Sequence, residues 1–273
     1  MERTLYLNEK KGLVVMRDGP SLWIREKDKA GTRIPARLID MVFIVGNIKM
    51  DAGTLMLFAE NSTPVTFMNK QGEAVGVVMP YNHASPDHHQ EQKRFMTLET
   101  NHEAFKTWIA SQRREAQIAV IKKIDWEKAQ GFLSKGFREI DYTAVIDLHR
   151  STKNHEWEAV HGIIENLILE MVIQEIVASN LDPHMGMINK NCNFGFALDL
   201  YQIISPEADL ISIQFFTSCR WHDFVQSSRK NCTLTKDGWK NIVHRFENRK
   251  KKISHGLDMV LRGFFDLMRH VTP

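Results

Sequence analysis

Cysteine is scarce in this 273-residue chain: Cys192, Cys219 and Cys232 are the only three, an odd number without CxxC spacing. They are expected to be reduced, buried and inert thiols, and a chain of this length can bury enough apolar surface to need no disulfide. The 8 prolines and 15 glycines form no tract, which excludes a fibrous or low-complexity chain. No apolar run approaches the roughly 18–20 residues of a membrane span. Glu2 directly follows Met1, and no apolar signal-peptide core succeeds it. The expectation is a soluble, cytoplasmic protein with no membrane partner. With 43% apolar and 25% charged residues the chain is not disordered, and its length favours two domains.

Net charge is also small, +3, but unevenly placed. Residues 220–273 hold 12 Lys+Arg against 5 Asp+Glu, a net of +7, so the first 219 residues carry −4. The basic C-terminal part reads either as a polyanion-binding region or as a solvated helix surface.

What is present changes character once along the chain. Thr4–Leu7, Leu13–Met16, Leu22–Ile24 and Met41–Val45 are short apolar or alternating runs rich in β formers. Asp18-Gly19-Pro20, Gly31, Gly46-Asn47 and Lys70-Gln71-Gly72 separate them as turns. A helix over Ala52–Asn61 interrupts the pattern, and strands resume at Pro64–Met68 and Ala74–Val78. Residues 81–92, polar and proline-containing, read as a linker. The period then becomes helical: Phe95–Ile124 as one or two helices, Glu158–Ser179 with a broad apolar stripe, Phe194–Ile204, Ala208–Phe216, Lys236–Arg249 and Gly256–Arg269. The fold class is therefore α+β, with a β-rich domain over 1–80, a linker over 81–92 and an all-α domain over 93–273.

Thr4-Leu5-Tyr6-Leu7 opens the chain, and Ile34-Pro35 leads into Ile39-Asp40-Met41-Val42 and Gly46-Asn47. Pro64-Val65-Thr66-Phe67 precedes Gly72 and Gly76. The long helix runs into Leu181-Asp182-Pro183-His184-Met185-Gly186-Met187-Ile188, and Phe196-Ala197-Leu198-Asp199-Leu200 follows. This ordered set, spanning nearly the whole chain, resembles the CRISPR adaptation integrase family, the endonuclease-like subunit that inserts new spacers. The resemblance implies a β domain before a helical domain, and a metal-dependent nuclease and transesterase acting on DNA ends. It also implies homodimerisation through the N-terminal domain. The implied partners are double-stranded DNA (spacer precursor and CRISPR repeat) and a small ferredoxin-like CRISPR-associated subunit or an active integrase relative.

The family's site uses a Glu, a His and a carboxylate pair spaced i, i+3. Here Asn189 stands at the His position, and Asp199 is followed at the pair's second position by Gln202. Asparagine offers no imidazole, and an amide is a poor ligand for Mg²⁺, which favours anionic oxygens. Glu139 is the positional candidate for the Glu, with Glu127 second; neither is followed by the family's small residues. On the resemblance, Asp199 and Glu139 would be the metal ligands, with His184 as an imidazole from a shifted location. The cofactor is then Mg²⁺ or Mn²⁺ if chemistry is retained, and none if it is lost. His149, His155 and His161 make no zinc spacing.

Phosphate contacts require only positive charge and backbone donors, so DNA binding would survive the loss of chemistry. Its candidates are Arg113, Arg114, Lys122, Lys123, Arg245, Arg249, Lys250, Lys251 and Lys252. The run Arg249–Lys252 reads equally as a solvated helix end. Trp221, Trp239 and Phe246 read as core rather than base-stacking platforms. The leading expectation is a DNA-binding member of this family with an impaired metal site and a structural or regulatory role. The alternatives are an active endonuclease/integrase using Asp199 with relocated ligands, and a repurposed regulatory or inhibitory interaction protein.

Overall fold

A computed structural model describes residues 3–80, 85–150, 154–218, 220–227 and 232–271. The chain divides into two compact units, Met1–Ala84 and Ser85–Pro273.

The first unit has eight strands and one α-helix: β1 (Arg3–Asn8), β2 (Val14–Asp18), β3 (Ser21–Arg25), β4 (Thr32–Pro35), β5 (Ile39–Val45), β6 (Lys49–Met50), α1 (Ala52–Glu60), β7 (Val65–Met68) and β8 (Ala74–Val78). They form two four-stranded sheets, in the orders β1-β5-β7-β8 and β4-β3-β2-β6. β5 is nearly all apolar because it is an inner strand, parallel to both β1 and β7 and buried along almost its whole length. α1 makes the crossover from the first sheet's β5 towards β7, starting where the Asp51 side chain accepts from Thr54 N at 2.7 Å. Leu7, Val42, Ile44 and Val65 of one sheet, Val15 and Leu22 of the other, and Leu57 and Phe58 of α1 share one core.

The second unit contains α2 (His89–Thr97), α3 (Asn101–Ile124), α4 (Trp126–Lys135), α5 (Glu139–His149), α6 (Asn154–Ala178), α7 (Gly195–Ile204), α8 (Pro206–Phe216), α9 (Trp221–Phe224), β9 (Val225–Ser227), β10 (Cys232–Leu234) and α10 (Lys236–Val271). α6 is the central element, packed by α7, α8 and α10, with Val160, Ile163, Ile164, Leu167, Ile168, Met171, Val172 and Ile176 buried. It ends in a Schellman turn: Asn180 adopts a left-handed φ of 55° while Leu181 N donates to the Ile176 carbonyl at 3.1 Å.

The strand-then-helix order is the α+β arrangement that the residue pattern indicates. Several details differ. Of the segment read as a linker, 81–84 lie outside the described residues, and His89–Gln92 form the first turn of α2. Gln92 is buried there, although polar, because its amide both donates to and accepts from the Asp182 backbone, at 2.9 and 2.7 Å. The helical part is not all-α, since β9 and β10 pair as an antiparallel ribbon. The two helices read over 236–249 and 256–269 are one helix. Buried Trp239, Ile242, Phe246, Ile253, Leu257, Val260, Leu261, Phe264 and Met268 continue a single stripe through Gly256, and one interior glycine costs only about 1 kcal/mol. Cys192 is exposed rather than buried, Cys232 is buried, and Cys219 lies outside the described residues.

Candidate functional site

The loop between α6 and α7 brings Asn189 to Asp199. Asp199 sits in the middle of α7, fully buried, with its carboxylate facing the loop. Its Oδ2 accepts from Met187 N at 2.7 Å and Ile188 N at 3.1 Å. Its Oδ1 accepts from Asn189 N at 2.9 Å and from the Asn189 side-chain Nδ2 at 2.7 Å. Two carboxylate oxygens thus take four N–H donors, which fills their lone-pair capacity. The loop can reach this close because of two glycines. A Cβ on Gly195 would lie 2.4 Å from the Asn189 carbonyl oxygen, and one on Gly186 would lie 2.6 Å from the Gly195 backbone. Gly195→Ala is therefore expected to loosen the loop and lower the melting temperature by several degrees, measurable by differential scanning calorimetry; an unchanged transition would mean that the contact is not tight. The loop's other end is held by Gln92. His184, read as a possible displaced imidazole, is taken up in the same loop: its Nδ1 accepts from Phe194 N at 3.2 Å, and the two rings lie 4.4 Å apart.

Glu139 opens α5, where the helix N-terminus favours a carboxylate. Arg113 of α3 holds it, Nη2 to Oε1 at 2.8 Å, and Gln117 donates to Oε2 at 2.7 Å. The Arg113 hydrogen bond, opposed by partial burial and assisted by Gln117, keeps the Glu139 pKa below the ordinary carboxylate value. The other terminal nitrogen of Arg113 donates to the Gln202 carbonyl at 2.5 Å and to Ser205 Oγ at 2.6 Å. The guanidinium thereby satisfies a carbonyl at the end of α7 and links the two positions that the family resemblance assigns to carboxylates. Glu127 is exposed on α4. Among the described residues, no three His, Cys, Asp or Glu side chains are grouped so as to hold a metal ion.

Beside this pair lies a chain of titratable groups that reading the sequence missed. Tyr142 donates to Asp209 Oδ2 at 2.7 Å; His161 Nε2 is 3.0 Å from Asp209 Oδ1; His161 Nδ1 is 3.4 Å from Glu165 Oε2; and Tyr201 donates to Glu165 Oε1 at 2.9 Å. These residues come from α5, α6, α7 and α8. Burial disfavours the imidazolium, but the hydrogen bonds to Asp209 and Glu165 outweigh it and raise the His161 pKa to about 9. The only local signal was His161 and Glu165 at i, i+4 on α6; Tyr142 and Asp209 are too distant in sequence to be paired by spacing.

The basic candidates separate into different roles. Arg113 is committed to Glu139, and Arg245 donates to Asn241 at 2.6 Å. Arg114, Lys122 and Lys251 are exposed, while Lys250 is half-buried. Lys123 and Arg249 pair with Glu207, and Lys252 lies beside Lys123. Trp239 and Phe246 are buried, and Trp221 packs edge-on against Phe216. No described helix is long and apolar enough to cross a membrane.

No curated protein matches the chain. A Cas1 protein from Thermotoga maritima superposes with a TM-score of 0.77 at 15% identity, covering 99% of this chain and 96% of that one. A casposase bound to integration product gives the same TM-score and identity over 100% and 92%. A Cas6-RT-Cas1–Cas2 complex gives a TM-score of 0.69 at 12% identity, covering 98% of this chain and 35% of that one. At such identities the likeness is one of fold. The family model for CRISPR associated protein Cas1 matches residues 5–167, ending before Asn189, Asp199 and Gln202. More than half of the sequence conforms to that model, and the chain belongs to the Cas1 family of CRISPR adaptation integrases.

Proposed function

We propose that this chain is a DNA-binding spacer-acquisition protein whose metal-dependent strand transfer is lost, and which serves a structural or regulatory role. The observation that carries this reading is the saturation of Asp199. The family's chemistry calls on a divalent ion held by hard anionic oxygens, and Mg²⁺ retains waters and demands near-octahedral geometry. Asp199 has both oxygens filled by N–H donors inside a closed loop. Its neighbours at the family positions are amides, and the remaining carboxylate, Glu139, is neutralised by Arg113. This donor set does not fit such an ion.

Asp199 instead fastens the 184–194 loop to α7, and Arg113 fastens α3 and α5 to the end of α7. The loss of anionic ligands leaves the fold intact, and with it the surfaces for DNA. The reading extends to a cytoplasmic protein, dimerising through its β-rich domain and assembling with double-stranded DNA and with a small ferredoxin-like CRISPR-associated subunit or an active integrase relative.

The direct test combines the purified protein, a fluorescent DNA end, a target duplex and Mg²⁺ or Mn²⁺. The expected outcome is salt-sensitive DNA binding without integration product. Robust product formation that disappears in Glu139→Gln, with that variant still folded, would overturn the proposal in favour of an active enzyme with relocated ligands.

A further inference from the structure

Lys123 lies near the end of α3, and Arg249 and Lys252 are three residues apart on α10. Lys123 and Arg249 both pair with Glu207, in the first turn of α8. Arg249 Nε donates to Glu207 Oε2 at 2.6 Å, Nη2 contacts the same oxygen, and both side chains are only 14% exposed. Lys123 Nζ is 3.8 Å from Glu207 Oε1, and the Lys252 ammonium lies beside that of Lys123. Two cations therefore share one carboxylate and a third stands beside them, so the cluster keeps two formal positive charges in excess when both lysines are protonated. The carboxylate is already committed to Arg249.

Crowding marks this as an unsatisfied arrangement. Burial, then the neighbouring Lys252, lower the Lys123 pKa to about 8, and Glu207 does not restore it. The N-terminus of α8, with Pro206 at its first turn, adds further positive potential. An anion placed among the three cations would relieve the repulsion and take charge-assisted hydrogen bonds from all of them. Exposed Lys122 and Lys251, next in sequence to Lys123 and Lys252, add positive charge on the same two helices, more than a free small anion needs. Lys123 stands ten residues along α3 from Arg113, about 15 Å at 1.5 Å per residue, so a strand reaching towards the Arg113–Glu139 pair can pass this point.

We propose that Lys123, Arg249 and Lys252 form a binding site for a backbone phosphate of nucleic acid. The inference rests on the DNA-binding reading above and locates one of its contacts. Protonation of Lys123, which faces Glu207 from α8 and Arg249 and Lys252 from α10, couples this contact to pH. Affinity falls as pH rises through about 8 and Lys123 loses its proton.

Fluorescence anisotropy with a labelled duplex, across a salt series and at pH 7 and 9, tests it. The double variant Lys123→Gln/Lys252→Gln is expected to bind about tenfold more weakly at pH 7, with the log–log salt slope reduced by about one and the pH dependence diminished. An equal loss of charge at Lys106 and Lys240, which pair with Glu103 and Asp237, is expected to leave the slope unchanged. If the double variant matches the unsubstituted protein in affinity and slope, the proposed site is wrong while DNA binding stands. If the unsubstituted protein binds no DNA, the functional reading fails and takes the proposal with it. Thermal shift with inorganic phosphate separates the sources. Stabilisation by phosphate that the double variant loses, with DNA affinity unaltered, would reassign the site to a small anion and overturn the nucleic-acid assignment.

Discussion

Asp199→Ala is expected to lower the melting temperature by about 10 °C, whatever it does to activity. Removing the carboxylate strands the backbone N–H groups of Met187, Ile188 and Asn189 and the Asn189 amide, which now converge on its two oxygens. Each buried polar group left without a partner costs about 1–3 kcal/mol, and water reaching part of the loop recovers some of that. A net loss of about 3–4 kcal/mol corresponds to roughly 6–16 °C in a protein of this size. Asp199→Asn retains one acceptor oxygen and should fall between the two. A carboxylate kept for an absent cation behaves in the opposite way, because its removal relieves repulsion in an under-compensated pocket and often raises stability. Thermal melts followed by circular dichroism, with and without Mn²⁺, distinguish these cases. A melting temperature within a degree or two of the unsubstituted protein, or a marked rise on adding Mn²⁺, would show that Asp199 does not act as a structural clamp.

The contrast between Asp199 and Glu139 shows how far sequence alone reaches. Residue types at 189, 199 and 202 are legible directly, and so is the poverty of that ligand set. The compensation is not legible. Gln92, in a stretch that reads as linker, turns out to be the buried residue pinning the far end of the loop, because its two hydrogen bonds go to backbone atoms that carry no sequence signature. Arg113 looks like a surface cation on a helix, yet its partner lies 26 residues away at the start of α5. α5 itself escapes the periodicity argument because Ile140 and Leu148 are exposed while Tyr142, Val145 and Ile146 are buried, which blurs any apolar stripe. By contrast, β5 and α6 are legible in the pattern, since burial along almost all of β5 leaves a continuous apolar run and the buried face of α6 leaves an apolar stripe at helical spacing. Long-range polar pairing is what composition and period cannot encode, and in this protein it decides the state of the site.

The same limitation hides a pH effect expected of the molecule between neutral and alkaline pH. His161 joins Asp209 and Glu165 across α6 and α8, with only 19% of its side chain exposed. Its folded-state pKa of about 9 lies above the ordinary value of 6.5, so the folded state binds the proton more tightly than the unfolded chain does. The stability this provides is fully present below about pH 6.5 and is lost as pH rises through about 9. That difference in proton affinity is worth about 3 kcal/mol, comparable to breaking a partly buried ion pair. The melting temperature is therefore expected to decline by roughly 6–12 °C between pH 6.5 and 9.5. His161→Phe keeps the aromatic contact with Trp157, which stacks on His161 at 5.8 Å, but leaves Asp209 with Tyr142 alone. That variant should be destabilised at pH 6.5 by about 3 kcal/mol and melt with little pH dependence over the same window. A pH titration of the His161 ring by NMR gives the second, independent reading. An imidazole titrating near 6.5, or a variant whose melting temperature falls with pH as steeply as that of the unsubstituted protein, would remove His161 from this role and place the proton elsewhere in the Tyr142–Asp209–Glu165–Tyr201 chain.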